Sequence, residues 1–287
     1  MQENRFTKCS DSFFVDADYR KTLQAKGISC IEDVFAFEEG VNLTKNNLAR
    51  FRERIRFEVD EPETVLFLKR YKNPPKTIQL KNWLAAKNRK SCAWFDYGIG
   101  EKLAGLGIAA AKVICYGEQF GLLFEKRSFC ITEKIPDAES LERTLPGFFH
   151  GHPTVENQKQ RKEFIKSLAL FIRNFHRAGF CHRDLYLCHI FYSDDKFYLI
   201  DLARTFKPVL FKQRYQIKDI AQLYYSASGE FFTKADRLRF YFYLTGCKKL
   251  KKKDKIFIKK VKKKAERIAR HDKKHGKAAP FENKKRY

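Results

Sequence analysis

Residues 175–206 read FHRAGFCHRDLYLCHIFYSDDKFYLIDLARTF. An apolar stripe at helical spacing, Phe164, Leu168, Phe171, Ile172 and Phe175, runs into this stretch. Gly179 stops it, because glycine readily takes the left-handed conformation that closes a helix. A polar turn comes next, and then two short β-type runs, 190–192 and 197–200, the second ending on an acid. The spacing predicts Asp184 on a loop, His189 five positions later and Asp201 at a strand exit.

That order of groups is the layout of a protein-kinase-type phosphotransfer site. There the first Asp orients the acceptor hydroxyl, the residue five positions on binds one Mg²⁺, and the Asp after the next strand binds Mg²⁺ bridging the ATP phosphates. The usual string is HRDLxxxxN followed by DFG; here it is HRDLYLCH followed by DLA. A His in the metal-binding Asn position, inside HRDxYxCH and followed by IDL-x-R, resembles the Kdo/WaaP family of lipopolysaccharide kinases. That family phosphorylates sugars of the bacterial lipopolysaccharide inner core. The resemblance continues through KDIAQLYYSAS at 218–228 and DRLRFYFYL at 236–244. Upstream it takes in VLFLKRY at 65–71, LGIAAAKVICYGE at 106–118 and ITEKIPDAESLE at 131–142, while the first forty residues fit loosely.

The resemblance implies an α+β, two-lobed protein-kinase-like fold with ATP in the cleft. A β-rich N-terminal lobe would occupy 1–132 and a mainly α-helical C-terminal lobe 133–287. Within the first lobe, RIRFEV and TVLFLKRY alternate on either side of the turn signal DEPE, which predicts consecutive antiparallel strands. The alternation sends Val65, Phe67 and Lys69 to one face and Leu66, Leu68 and Arg70 to the other. Lys69 fits the strand lysine that holds the α- and β-phosphates. Between Gly40 and Lys69 there is no glycine, so the usual phosphate-covering loop is missing. Lys45, Asn46, Asn47, Arg50 and Arg52 stand there instead, with Lys45 and Arg50 the expected phosphate contacts.

Residues 85–107 read as one helix carrying Trp94, Phe95, Ile99, Leu103 and Leu106. It should supply the acid that pairs with Lys69. Asp96 is preferred to Glu101, on the family's spacing to the LGI segment, although its side chain is the shorter. SFCITEKIPDAESLE reads as a strand leading into a hinge, with adenine bonding to backbone near Thr132–Ile135 and so to Glu133 and Ile135. Residues 145–155, with two Pro and two Gly, read as loop.

The resemblance assigns Asp184 to the acceptor hydroxyl and Asp201 to Mg²⁺, a hard ion that takes carboxylate oxygen. His189 is either a metal ligand, better suited to Mn²⁺ than to Mg²⁺, or a residue that fixes the loop by hydrogen bonding. His182 and Arg183 brace the catalytic loop. Asp219 is either the buried acid that grips loop amides or an ordinary acid near a helix start. Arg204 meets an anionic substrate or pairs on the surface.

The chain has 287 residues, 28 of them Phe and 13 Tyr, which excludes wholesale disorder. Its eight cysteines form no C-x-x-C pair and read as reduced thiols. No segment approaches the run of about 20 apolar residues that a membrane helix needs, and the first residues carry no apolar leader core. The expected location is cytoplasmic, peripheral on the inner face of the inner membrane. The formal charge is +25, and residues 248–287 hold 19 Lys and Arg against 4 Asp and Glu. This tail reads as a basic amphipathic helix with Phe257, Val261, Ala265 and Ile268 inward, suited to anionic lipid presenting a glycolipid acceptor. An acidic protein also suits such a field. Nucleic acid is disfavoured, since no aromatic stacking platform appears.

The expected reaction is ATP-dependent phosphorylation of an inner-core sugar, a heptose ahead of Kdo. A non-catalytic basic scaffold on the same fold is the reading from a different class. The short segment from Asp201 to Asp219, with no APE, favours a glycan acceptor over a peptide.

Overall fold

The two alternating runs become strands of nine and ten residues that pair along their length. A computed structural model describes residues 6–10, 12–44, 50–149 and 155–276. Its described residues fall into two compact units. The first comprises those within Met1–Gly105, Ala110–Pro136 and Asp201–Ala203, and the second those within Leu106–Ala109, Asp137–Ile200 and Arg204–Tyr287.

The first unit contains β1 (Phe6–Ser10), β2 (Phe13–Asp16), α1 (Arg20–Ala25), α2 (Ile31–Ala36), β3 (Val41–Asn42), β4 (Arg52–Asp60) and β5 (Glu63–Lys72). It continues with α3 (Lys76–Ala86), α4 (Trp94–Ala104), β6 (Val113–Phe120) and β7 (Glu125–Glu133). The strands form one sheet in the order β1-β2-β6-β7-β5-β4-β3. Register within it places Lys69 opposite Arg54 on β4 and opposite Cys130 on β7.

Strand alternation decides what each face of β5 does. Leu66 and Leu68 are fully buried and join Leu23, Ile31, Val34, Ile55 and Phe57 in one core. Burying each such side chain contributes roughly 1.5–3 kcal/mol. The segment from Tyr19 to Phe37, with α1 and α2, thus covers this face. Arg70, on the same side, is buried and donates to the carbonyls of Val34 and Phe37 at 2.8 and 2.9 Å. It satisfies carbonyl groups left over at the end of α2 and ties that helix to β5. Lys69 lies on the opposite side.

The second unit contains β8 (Glu139–Ser140), α5 (Leu141–Phe149), α6 (Val155–Arg177), β9 (Ile190–Ser193), β10 (Lys196–Leu199), α7 (Lys212–Ser226), α8 (Lys234–Thr245) and α9 (Lys252–Lys274). Its small sheet runs β10-β9-β8. Gly179, at φ +94°, follows α6 as its sequence predicts. The tail forms α9, which packs on α7 and buries Val261, Ala265 and Ala269. Asp254 caps it, accepting from the Lys251 amide at 2.8 Å.

Two expectations are corrected. The single helix over 85–107 is two helices, because α3 ends at Lys87 in the left-handed conformation (φ +56°) and α4 begins only at Trp94. Leu106 lies outside α4 and is exposed. Residues 145–149 are helical, within α5, despite Pro146. Leu141 and Leu145, one turn apart, are both buried, and that packing outweighs the proline's missing donor.

Seven described cysteines, at 30, 92, 115, 130, 181, 188 and 247, are free. No described helix is long and apolar enough to cross a membrane.

Candidate active site

In the first unit the chemistry gathers around Lys69. Its Nζ lies 3.0 Å from Asp96 Oδ1 and 3.3 Å from Asp201 Oδ1. Asp96 sits in the first turn of α4, where the helix dipole favours an acid, and is buried. Its Oδ1 also accepts from the amide of Leu202 at 3.0 Å. One carboxylate therefore holds both the lysine and the backbone just after Asp201, and the shorter side chain of Asp reaches. Glu101 is exposed on the same helix.

Burial by itself would drive the Lys69 ammonium toward neutrality, but the carboxylates of Asp201 and Asp96 reverse this and raise its pKa. The lysine stays charged at any working pH. Asp201 has φ +55°, a strained setting for a residue with a Cβ, of a kind that recurs where side chains are aimed for function. Arg54, which the sequence did not single out, places its guanidinium 3.0 Å from Asp201 Oδ2. Burial pulls its pKa down, and the Asp201 charge more than compensates, raising it.

Arg50 is described and exposed, whereas Lys45 lies outside the described residues. At the end of β7 the Glu133 amide donates to Lys112 O at 2.9 Å and the Lys134 amide to Val65 O at 2.8 Å. The Ile135 amide makes no hydrogen bond among the described residues.

In the second unit the HRDLYLCH loop is held by one face of α7. Asp219, fully buried, accepts from the amides of His182 at 2.9 Å and Arg183 at 2.7 Å, and pairs with His176 Nε2 at 3.1 Å. It lies mid-helix, which removes the helix-start alternative. Three and seven residues on, the same face supplies Gln222, whose Oε1 accepts from Leu185 N at 3.2 Å, and Ser226, whose Oγ accepts from Leu187 N at 3.0 Å. Gln222 Nε2 then donates to Asp184 Oδ1 at 3.3 Å. This lattice fixes Arg183 at φ +66° and aims Asp184. Neither Gln222 nor Ser226 was foreseen; their spacing from Asp219 along one helical face was the available signal.

Arg204 NH1 lies 3.5 Å from Asp184 Oδ1, and Lys218 Nζ donates to the Arg183 carbonyl. Burial, then the Arg204 charge, pushes Lys218 down to about 8. The same two causes lower Arg183, whose guanidinium lies 5.3 Å from the Phe206 ring centre. Asp184 is thus set among three cations.

His189 Nδ1 lies 2.7 Å from the Asp184 carbonyl. A carbonyl can only accept, so Nδ1 carries a proton, and in the neutral imidazole the lone pair is on Nε2. That fits a metal-ligating imidazole whose other nitrogen is fixed by a backbone group. In the first unit Asp201 supplies a hard carboxylate, of the type a divalent cation takes. Another grouping, His176, Cys181 and Asp219, has its ligand atoms within 4.8 Å of one another. Its carboxylate already serves the loop, and burial pushes the Cys181 thiol up to about 12, so it reads as an anchor.

The profile of the lipopolysaccharide kinase (Kdo/WaaP) family matches residues 78–243. The lipopolysaccharide core heptose(I) kinase WaaP of Pseudomonas aeruginosa is 29% identical over 168 residues, 56% of this chain and 62% of that protein. The match therefore spans about three-fifths of that relative. The protein of the same name from Escherichia coli K12 is 27% identical over 217 residues, 73% of this chain and 80% of that one. A solved structure of WaaP in complex with acyl carrier protein aligns with a TM-score of 0.65 at 22% identity, covering 89% of this chain and 98% of that one. This likeness carries the fold: a kinase-like chain with a β-sheet N-terminal region and a helical C-terminal part.

Proposed function

Because the chain belongs to the lipopolysaccharide kinase (Kdo/WaaP) family, we propose that it transfers the terminal phosphoryl group of ATP to a heptose hydroxyl of the lipopolysaccharide core. The observation that carries the reading is the Lys69 ammonium bound to Asp96 and Asp201 at once. Phosphoryl transfer asks a protein for position and charge rather than covalent help. Lys69, locked by Asp96, meets the phosphates of the nucleotide. The unbonded Ile135 amide and the nearby Glu133 backbone receive the adenine.

Asp184 orients the acceptor hydroxyl and takes its proton late, as the new P–O bond forms and ADP leaves. Phosphoryl transfer asks for an aligned acceptor oxygen more than for a strong base, so positioning is its larger contribution. Asp201 would hold Mg²⁺, which would supply positive charge to the phosphates, and His189 Nε2 would suit a softer ion such as Mn²⁺. Lys45 and Arg50 extend the phosphate contacts.

The curated relatives carry heptose(I) in their names, which favours heptose over Kdo as acceptor. The outer face of α9, where Lys255, Lys259 and Lys263 are exposed, suits the anionic inner leaflet, each basic residue adding about 1 kcal/mol. Two purified acceptors test the reading, one ending in heptose and one ending in Kdo. Phosphate should pass from ATP to the first. Transfer to the Kdo-terminated acceptor alone would make this a Kdo kinase, and transfer to neither would refute the proposal.

A further inference from the structure

The chain has no glycine between Gly40 and Gly98, so the stretch before β4 cannot cover phosphates in the usual glycine-rich way. What β4 offers instead is arginine at every second position, Arg52, Arg54 and Arg56. These three are not equivalent. Arg52 lies against the rings of Phe51 and Tyr71, at 5.1 and 5.7 Å, and Arg56 pairs with Glu58 at 2.7 Å. Arg54 stands directly across from Lys69 in the strand register, with its guanidinium on Asp201.

The contact with Asp201 sets up a competition. Lys69 holds Oδ1 and Arg54 holds Oδ2 of the same carboxylate. A divalent cation bound through Oδ2 competes with the Arg54 guanidinium for that oxygen, and the two positive groups repel each other there. A displaced Arg54 remains beside Lys69, facing whatever polyanion Lys69 holds. Its planar fork of donors matches phosphate oxygens bidentately, which an ammonium cannot do.

We infer that Arg54 is a nucleotide-phosphate ligand that exchanges Asp201 for the β- and γ-phosphates when a divalent ion takes Asp201. It does with a side chain what a glycine-rich loop does with backbone amides. This rests on the ATP reading above and adds to it a residue and an exchange of partners. The exchange makes binding of the ion and of the polyphosphate respond in opposite directions to one substitution. A residue that merely stiffened the sheet would shift both the same way.

The test uses the full chain with Arg54→Ala, Arg54→Lys and, as a strand control, Arg56→Ala. Calorimetry gives the dissociation constants for ATP and for AMP, and electron paramagnetic resonance gives that for Mn²⁺ alone. Arg54→Ala should weaken ATP about ten- to a hundredfold, leave AMP within about twofold and tighten Mn²⁺. Arg54→Lys, which keeps the charge and guards against misfolding, should fall between. ATP and AMP weakening together, or ATP unchanged, would overturn the phosphate role. Mn²⁺ binding that stays the same or weakens would overturn the exchange. Failure of the wild-type chain to bind ATP at all would overturn the nucleotide reading itself, and this inference with it.

Discussion

The two groups of functional side chains are fixed by different means. Around Lys69, charged side chains hold one another: two carboxylates and two cations whose geometry depends on mutual charge. Around Asp184, a helix face holds backbone, since Asp219, Gln222 and Ser226 on α7 read the amides of His182, Arg183, Leu185 and Leu187. Side chains tied only by charge can change partners when an ion or a phosphate arrives. A loop whose amides are individually bonded cannot move without exposing buried donors. The first arrangement suits binding a polyphosphate, and the second suits presenting one carboxylate in one place.

That contrast can be broken from either side. Asp219→Ala strips acceptors from two backbone amides, at about 1–3 kcal/mol each. The chain should lose roughly 2–6 kcal/mol in urea denaturation, and a loss below about 1 kcal/mol would mean that α7 does not hold the loop. Asp96→Asn keeps an acceptor for Leu202 but removes the charge beside Lys69. Affinity for ATP should drop about tenfold while the denaturation midpoint moves much less than for Asp219→Ala. Equal losses of stability in the two variants would erase the distinction.

Lys218 gives the smallest effect and the sharpest pH signature. Burial and Arg204 hold it at about 8 in the folded chain, against an ordinary lysine value of 10.5. Between those values the folded chain has released a proton that the unfolded chain still binds, so stability rises with pH across the window. Below pH 8 both forms are protonated and the cost of the buried ammonium is fully present. Lys218→Met should raise stability at pH 7 and flatten the rise between pH 8 and 10.5. Denaturation at pH 7, 9 and 10 checks this, and identical slopes would contradict it.

What the sequence disclosed follows the range of the forces involved. The HRDLYLCH loop, the alternation of β4 and β5 and the stripe of α6 are local patterns, and they appear where expected. Asp96 was legible through its spacing. Arg54 was hidden because its importance lies in a cross-strand register with Lys69, which no single strand encodes. Gln222 and Ser226 were hidden because a polar helical face looks like solvent exposure until the loop it serves is in place. The break between α3 and α4 escaped notice because Lys87 takes a left-handed turn that glycine would have announced. The segment from Tyr19 to Phe37 carries no strong period of its own; its form is set by the face of β5 it covers.

The most direct test separates the two arrangements within one chain. Phosphate transfer to the heptose acceptor and ATP affinity are measured together for the wild type, Asp184→Asn and Asp201→Asn, with Mg²⁺ present. Transfer should fall at least about a thousandfold in both variants. Affinity for ATP should hold in Asp184→Asn and weaken in Asp201→Asn. Transfer that survives in Asp184→Asn, or ATP affinity that falls equally in both, would contradict the assignment of acceptor and nucleotide to separate sets of residues.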